Sequence, residues 1–195
     1  MVNWESFLNF LFNIGVKWFN MALRPGRCSR VIKRPWTRTS QRKPKKSYVV
    51  GVPYARIHVF EMGNKKADFD TSLYLVSKEA VQLRDNSMEG SRVSVNKAME
   101  KLAGPDNYFI KVLVYPHQIL REHALATGAG ADRFSMGMRK AFGRPKGRAA
   151  RIEENQRVYQ IKVNKEHIPA AKVALDRANK KLSGTYKIEI VDLKK

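Results

Sequence analysis

The chain has 195 residues, with 38 Lys and Arg against 17 Asp and Glu, so its formal net charge at pH 7 is +21. This length suits one domain with extensions, and a hydrophobic fraction of 43% is too high for a wholly disordered basic tail. The single cysteine, Cys28, excludes an internal disulfide and a cysteine-based zinc site. Because excess positive charge disfavours compaction unless a polyanion neutralises it, the composition favours a polyanion-binding protein.

An apolar N-terminal extension occupies residues 1–20, where large side chains such as Trp4 and Trp18 recur at helical spacing. We expect either a helix that packs on a partner protein or a membrane surface, or a segment outside the native protein. The second possibility arises because the composition changes abruptly at Met21, where translation could start. A membrane-spanning helix is not expected, because polar residues such as Lys17 interrupt a stretch that is already short.

A basic arm follows at residues 21–54, and residues 21–60 contain eleven Lys and Arg but no Asp or Glu. Repeated prolines remove backbone donors and disfavour helix, so the arm should be extended or irregular. Its cations follow no single helical face, so we expect them to lie along the phosphates of a nucleic acid, with Trp36 and Tyr48 stacking on unpaired bases. The composition favours a structured RNA and leaves DNA as an alternative. A solvated tail without a specific partner is the alternative. The candidate RNA-binding residues are Arg24, Arg27, Arg30, Lys33, Arg34, Arg38, Arg42, Lys43, Lys45 and Lys46.

Residues 55–195 are predicted to form an α+β domain. Strands are expected at residues 55–61, which alternate in polarity, and at residues 73–76, which form a short apolar run. A helix is predicted from Ser77, a good N-cap residue, to about Leu102, where a Gly-Pro pair ends the apolar periodicity.

The second half of the domain carries further strand and helix signals. They predict a strand at residues 108–115, helical turns at 120–126, strands at 150–154 and 158–163, a helix from Pro169 to Leu182 and a strand at 186–191. This order favours a mixed or antiparallel sheet with two helices packed against it.

The second cationic segment is an internal functional loop within residues 121–150. Residues 128–151 contain seven Lys and Arg against a single Asp, and five glycines let the backbone approach an anionic backbone closely. Phe134 and Phe142 either contact the partner or hold the loop on the domain. The candidate binding residues of this loop are Arg133, Arg139, Lys140, Arg144, Lys146 and Arg148.

No catalytic constellation is visible in the sequence. The four histidines stand at no metal-binding spacing, and Ser135 lacks the preceding glycine of a nucleophile elbow. The glycine-rich stretch at residues 128–133 has Arg133 where a dinucleotide-binding fingerprint needs its third glycine. We therefore predict no catalytic residue, no metal site and no cofactor. An RNA-modifying enzyme and a membrane-associated protein are the rival hypotheses.

Several motifs resemble those of the universal large-subunit ribosomal protein family called L-sixteen in bacteria and L-ten-e in archaea and eukaryotes. The general signature is Ala129-Gly130-Ala131-Asp132-Arg133 followed by Gly137-Met138-Arg139-Lys140-Ala141-Phe142-Gly143-Arg144-Pro145-Lys146-Gly147. The motifs similar to the archaeal and eukaryotic branch are Arg24-Pro25-Gly26-Arg27-Cys28, Gly51-Val52-Pro53, Phe60-Glu61-Met62-Gly63-Asn64-Lys65-Lys66-Ala67 and Pro116-His117. The similarity extends from Met21 to about Asp192 and leaves residues 1–20 without a counterpart.

This resemblance implies an α/β hammerhead-type fold and a structural role in the large ribosomal subunit, in the cytoplasm. It implies contacts with large-subunit rRNA, including Lys65 and Lys66, with neighbouring ribosomal proteins, and with the tRNA acceptor end near the peptidyl transferase centre through the internal loop. It implies no membrane partner, no small-molecule substrate and no catalysis by the protein itself. A structured-RNA-binding protein outside the ribosome, or a ribosome-assembly factor, is the alternative.

Overall fold

The computed structural model describes residues 24–32, 42, 49–123, 125–126, 128–139 and 141–193. The apolar extension at residues 1–20 lies outside these ranges. The strands and helices of the described part are β1 Glu61–Gly63, β2 Thr71–Ser77, β3 Val81–Arg84, α1 Asp85–Ala103, β4 Tyr108–Val112, β5 Gln118–Glu122, β6 Arg144–Ile152, β7 Arg157–Val163, α2 Ile168–Asn179 and β8 Tyr186–Asp192.

The strands form two sheets, one with five strands in the order β1-β4-β7-β2-β8 and one with three in the order β3-β6-β5. Neighbouring strands are antiparallel throughout both sheets. The predicted α+β class is confirmed, and the strands divide between two antiparallel sheets. The chain passes from the smaller sheet to the larger one for the last time between β6 and β7, where Asn155 adopts a positive φ of 59°.

One hydrophobic core joins the helices to both sheets. Because side chains alternate along a strand, β2 directs Leu73 and Leu75 towards the same core that contains Met99 of α1 and Leu175 of α2. Leu83 of β3 enters this core from the smaller sheet, and all five side chains are buried. The smaller sheet is therefore held rigidly on the helices and the larger sheet. Neither described helix is long and apolar enough to cross a membrane.

The helix predicted from Ser77 begins eight residues later, at Asp85. The intervening residues form β3, in which Val81 and Leu83 are buried and pair with Ile152 and Ala150 of β6. Side chains two residues apart lie on the same face of a strand, which directs Val81 and Leu83 into the core together. Pairing with β6 also satisfies backbone groups that an isolated helical turn would leave without hydrogen bonds. The predicted start of this helix was wrong, while its end near Leu102 is confirmed by the last residue, Ala103.

Three other elements differ from the predictions. The strand predicted at residues 150–154 begins at Arg144, because it pairs with β5, so the predicted loop residues Arg144, Lys146 and Arg148 lie on β6. The helical turns predicted at residues 120–126 do not occur in the described part of that range, because residues up to Glu122 belong to β5, which pairs with β6. The strand predicted at residues 55–61 is ordered as a strand only from Glu61. Ala55 and Ile57 are nevertheless buried, so this segment contributes to the core without a regular hydrogen-bonded ladder.

A buried hydroxyl network connects α1 to the larger sheet. The Tyr159 hydroxyl donates to the Met88 carbonyl at 3.0 Å and shares a short hydrogen bond with the Ser91 hydroxyl. Tyr159 is fully buried, and this burial raises its pKa to about 12. Burial also raises the pKa of Tyr186. The folded state is therefore stabilised while Tyr159 and Tyr186 are neutral, and ionisation of either phenol destabilises it.

Tyr159 should make the folded protein sensitive to alkaline pH. An unfolded tyrosine ionises near pH 10, so the stabilisation is complete below about pH 10 and is lost as the pH rises towards 12. The free energy of unfolding should fall by roughly 2–3 kcal/mol across this interval because of Tyr159. Urea titrations at several pH values would measure this fall in the free energy of unfolding.

Tyr159→Phe should show a smaller decrease than the wild type over this interval, whereas Tyr54→Phe, at a 90% exposed tyrosine, should retain the full decrease. Equal slopes for all three proteins would contradict this assignment.

Candidate nucleic-acid interface

Residues 24–32 of the arm lie along the edge of the three-stranded sheet. The Gln82 backbone N–H donates to the Arg30 carbonyl at 2.8 Å, and the Gln82 side-chain amide donates to the Ser29 carbonyl at 2.8 Å. Arg84 donates to the Arg24 carbonyl at 2.6 Å. Since β3 is an edge strand, these bonds cover backbone groups that would otherwise be open to another chain.

Two carboxylates fix the arm further. Arg24 Nε donates to Glu122 at 2.9 Å, and Arg30 donates to Glu79 at 2.6 Å. Desolvation raises the pKa of Glu79, but hydrogen bonds from Thr185 and Arg30 outweigh it and leave the pKa below its ordinary value. Glu79 therefore holds the arm as a carboxylate at neutral pH.

The base of the internal loop is tied to the end of β5. Arg121 donates to the Gly143 carbonyl at 3.1 Å, and its guanidinium carbon lies 4.3 Å from the centroid of the Phe142 ring. The His123 ring nitrogen Nε2 is 2.7 Å from the Gly137 carbonyl oxygen. Phe142 thus holds the loop on the domain, which was one of the two roles predicted for it.

The outer part of the loop projects its side chains into solvent. A short 3-10 turn spans Ala131–Arg133, and Gly130 before it adopts a left-handed backbone with φ of 79°. Phe134 is 89% exposed, so it does not hold the loop on the described domain. Arg133 and Arg139 are exposed as well. This part of the loop offers an aromatic ring and cations together to a partner.

Most of the described arm and loop cations have no carboxylate partner. Within the described ranges, only Arg24 and Arg30 of the predicted binding residues in these two segments form ion pairs. The cations without one are Arg27, Arg42, Arg133, Arg139, Arg144, Lys146 and Arg148. Arg148 donates instead to the neutral Pro53 carbonyl at 2.7 Å. The uncompensated positive charge of these seven cations favours binding of a polyanion.

The predicted binding residues do not all lie together. Lys65 and Lys66 are exposed beside β1, next to Asn96 and Glu100 of α1, and Lys65 forms an ion pair with Glu61. The predicted residues outside the described ranges are Lys33, Arg34, Arg38, Lys43, Lys45, Lys46 and Lys140.

A cleft of about 570 Å³ lies between the arm, residues 53–56, the three-stranded sheet and the loop, and is called the arm–loop cleft below. Its lining adds Arg56, at the end of the first basic run, and four residues outside both runs that the sequence did not single out: Gln82, Arg84, Gln118 and Arg121. These four stand alone in β3 and β5. Strand alternation is the sequence signal that could have assigned Arg84 and Arg121 each to a face of its strand, but it does not show that β6 joins the two strands.

The described residues contain no group of three or more His, Cys, Asp and Glu side chains that could hold a metal ion. The arrangement that does occur is a cationic surface with neutral hydrogen-bonding groups and exposed aromatic rings, which is suited to phosphates and bases.

Comparisons with known proteins agree with this chemistry. Residues 36–189 match the profile of the family described as Ribosomal protein L16p/L10e. The large ribosomal subunit protein uL16 of Archaeoglobus fulgidus is 48% identical over 170 residues, which cover 87% of this chain and 94% of that protein. The uL16 proteins of Thermoplasma volcanium and Staphylothermus marinus are 45% and 44% identical, over 80% and 89% of this chain and 90% and 97% of their own lengths.

The attachment of the loop to β5 should depend on Gly143. It has a φ of +75°, and an added Cβ would lie 2.6 Å from the Glu122 carbonyl carbon. Gly143→Ala should therefore lower the free energy of unfolding by about 2 kcal/mol or more, since a left-handed non-glycine residue alone costs about 1–2 kcal/mol. Thermal unfolding would measure this loss.

Gly137→Ala is the matched control, because Gly137 also has a positive φ of 59° but an added Cβ would meet no atom within 4 Å. It should cost only about 1 kcal/mol. Equal losses in the two variants would show that the approach of Gly143 to Glu122 is unimportant.

Proposed function

Since this chain belongs to the ribosomal protein L16p/L10e family and is a structural component of the large ribosomal subunit, we propose that its arm and internal loop bind large-subunit rRNA and that the loop reaches the tRNA acceptor end in the aminoacyl-tRNA site. The arm is residues 21–54 and the internal loop lies within residues 121–150. The chain then acts by positioning RNA, supplies no catalytic group of its own, and works in the cytoplasm beside neighbouring ribosomal proteins.

The observation that carries this proposal is the meeting of the two cationic segments at β5. Glu122 binds Arg24 of the arm at 2.9 Å, while the preceding residue, Arg121, binds the Gly143 carbonyl of the loop at 3.1 Å. The two segments are 98 residues apart in the chain at this contact. A single folded RNA could therefore neutralise both at once.

The loop has the parts needed to contact tRNA while its base stays on the rRNA-bound domain. Exposed Arg133 and Arg139 can form paired hydrogen bonds with phosphate oxygens. Phe134 and Met136, 89% and 70% exposed, offer apolar contacts to unpaired bases such as those of an acceptor end. Because Gly137 has no side chain, the backbone can adopt its φ of 59° there and approach an RNA strand closely.

Reversing two loop charges should impair the subunit. In Arg139→Glu/Arg144→Glu, two exposed cations become anions that repel phosphate, so mature subunits should decrease or tRNA accommodation should slow. Sucrose gradients and a tRNA-binding assay on purified subunits would measure the two effects.

Lys172→Glu/Arg177→Glu is the matched control, because it makes the same change in formal charge at exposed positions of α2. It should leave both measurements close to wild type. Normal subunit levels together with normal translation in the loop variant would refute the proposed role of the loop.

The protein should stay with the large subunit in high salt. Each phosphate contact adds roughly 0.7–0.9 to the slope of log affinity against log salt, so a loosely held cationic factor would be washed off, whereas an integral protein is retained by the surrounding structure. Sedimentation of a native lysate in high salt, followed by mass spectrometry, tests this. Release to the top of the gradient would favour a transient assembly factor. The N-terminal peptide from the same fraction would show whether residues 1–20 are present.

A further inference from the structure

The arm–loop cleft contains polar groups that the folded chain does not satisfy. Gln82 is only 5% exposed, and its side-chain oxygen Oε1 is buried without a hydrogen-bond partner in the described structure. Arg121 Nε is likewise buried without a partner. Both residues line the cleft. Because buried polar groups are almost always hydrogen-bonded, an unpaired acceptor and an unpaired donor in one cleft indicate a ligand that supplies the missing partners.

The charge around the cleft is positive after its internal pairs are counted. Glu122 is neutralised by Arg24, and Asp85 accepts hydrogen bonds from two backbone N–H groups. Arg84 and Arg121 donate to neutral carbonyls, and within the described residues neither forms an ion pair. Lys146 adds a further cation without a carboxylate partner in the described part of the chain. The rim therefore attracts an anion.

The walls of the cleft are apolar as well as basic. Leu125, Met138 and Phe142 of the loop line the cleft together with Val31 of the arm. A volume of about 570 Å³ lies within the range of roughly 300–1,000 Å³ that is usual for sites of small organic groups. A phosphate ion alone would leave these apolar walls without contacts, whereas a nucleotide combines an anionic group with a flat ring that carries hydrogen-bonding edges.

We propose that the arm–loop cleft binds one unpaired nucleotide of the large-subunit rRNA. Its base enters the cleft beside the Phe142 ring, and rotation of the Gln82 side chain lets the buried Oε1 accept an N–H from that base, while its phosphates lie against the cationic rim. The base must present an N–H donor, from an amino group or a ring N–H, because the Gln82 oxygen is an acceptor. This inference rests on the proposed function, and it adds that the protein captures a single base in addition to neutralising the RNA backbone.

The bound base would contact the arm, the three-stranded sheet and the loop, which together surround the cleft. Ser29 of the arm accepts a hydrogen bond from Gln82, and Phe142 of the loop lies against Arg121. A nucleotide held between Gln82 and Phe142 would therefore contact the sheet while resting against the arm and the loop. The bound base would therefore add to the contacts that already hold the arm and the loop on the sheet.

Ultraviolet cross-linking of intact large subunits, followed by mass spectrometry, tests the proposal. Direct contact with a base should leave a single-nucleotide adduct on peptides that contain Cys28 or Phe142, both of which line the cleft. The variant Gly147→Leu fills the cleft, because Gly147 lines it, does not need a positive φ, and an added Cβ would meet nothing within 4 Å. Its adduct yield should fall about tenfold, as the loss of one stacked base predicts.

Gly90→Leu is the matched control, since Gly90 also has open space around an added Cβ but lies on α1, outside the cleft lining. It should give the wild-type yield. If Gly147→Leu does not assemble into subunits, Gln82→Leu replaces it, because it removes the unpaired acceptor. Its yield should also fall about tenfold, whereas Gln160→Leu, on the larger sheet, should retain the wild-type yield.

The outcomes separate this inference from the proposed function. If the wild-type protein is absent from large subunits, the proposed function fails. If it is present but adducts occur only on peptides outside the cleft, or persist at the wild-type yield in an assembled cleft variant, the nucleotide site is refuted. Iodoacetamide labelling of Cys28 in the RNA-free full chain provides another check, because Cys28 is exposed and should react readily. Slow labelling would mean that the chain fills its own cleft, which would also overturn the proposal.

Discussion

Two adjacent residues of opposite charge at the end of β5 hold both cationic segments of this protein. Glu122 binds Arg24 of the arm, and Arg121 binds the Gly143 carbonyl and lies over the Phe142 ring of the loop. Without these contacts, segments of like charge would repel each other and move apart. With these contacts, the cations of the arm and the loop stay close together in the folded protein, and binding of RNA phosphates would reduce their mutual repulsion. The positions of arm and loop therefore depend on one strand end.

The strand end can do this because the rest of the domain is rigid. The three-stranded sheet shares its core with two helices and the larger sheet, and residues such as Leu83 and Ile152 are fully buried. Surface ion pairs contribute only about 0–1 kcal/mol each, so Arg24 and Glu122 orient the arm but add little to stability. Stability comes from the core, and the carboxylates determine where the uncompensated cations point.

The separation between a core that gives stability and a loop that projects from it also explains the exposed apolar side chains of the loop. Phe134 and Met136 at the outer part of the loop would be unfavourable on an isolated soluble domain, since they contact water. The described residues of the loop are held near Arg121 and His123, while Phe134 and Met136 are exposed, so this outer part can meet a partner while the base stays in place. A structural protein of the ribosome needs this combination, because its partner is a large RNA and not a substrate that diffuses into a pocket.

The sequence by itself determined the family, the α+β class and the two basic segments, because motifs, periodic burial and runs of charge are local properties of the chain. The end of the first helix and the extent of the last strand, Tyr186–Asp192, follow from such local signals. Tertiary structure alone decided that residues up to Glu122 form a strand, since only pairing with β6 satisfies their backbone. It also decided that Gln82 and Arg121 line one cleft, because β6 lies between their strands and no local pattern records which strands become neighbours.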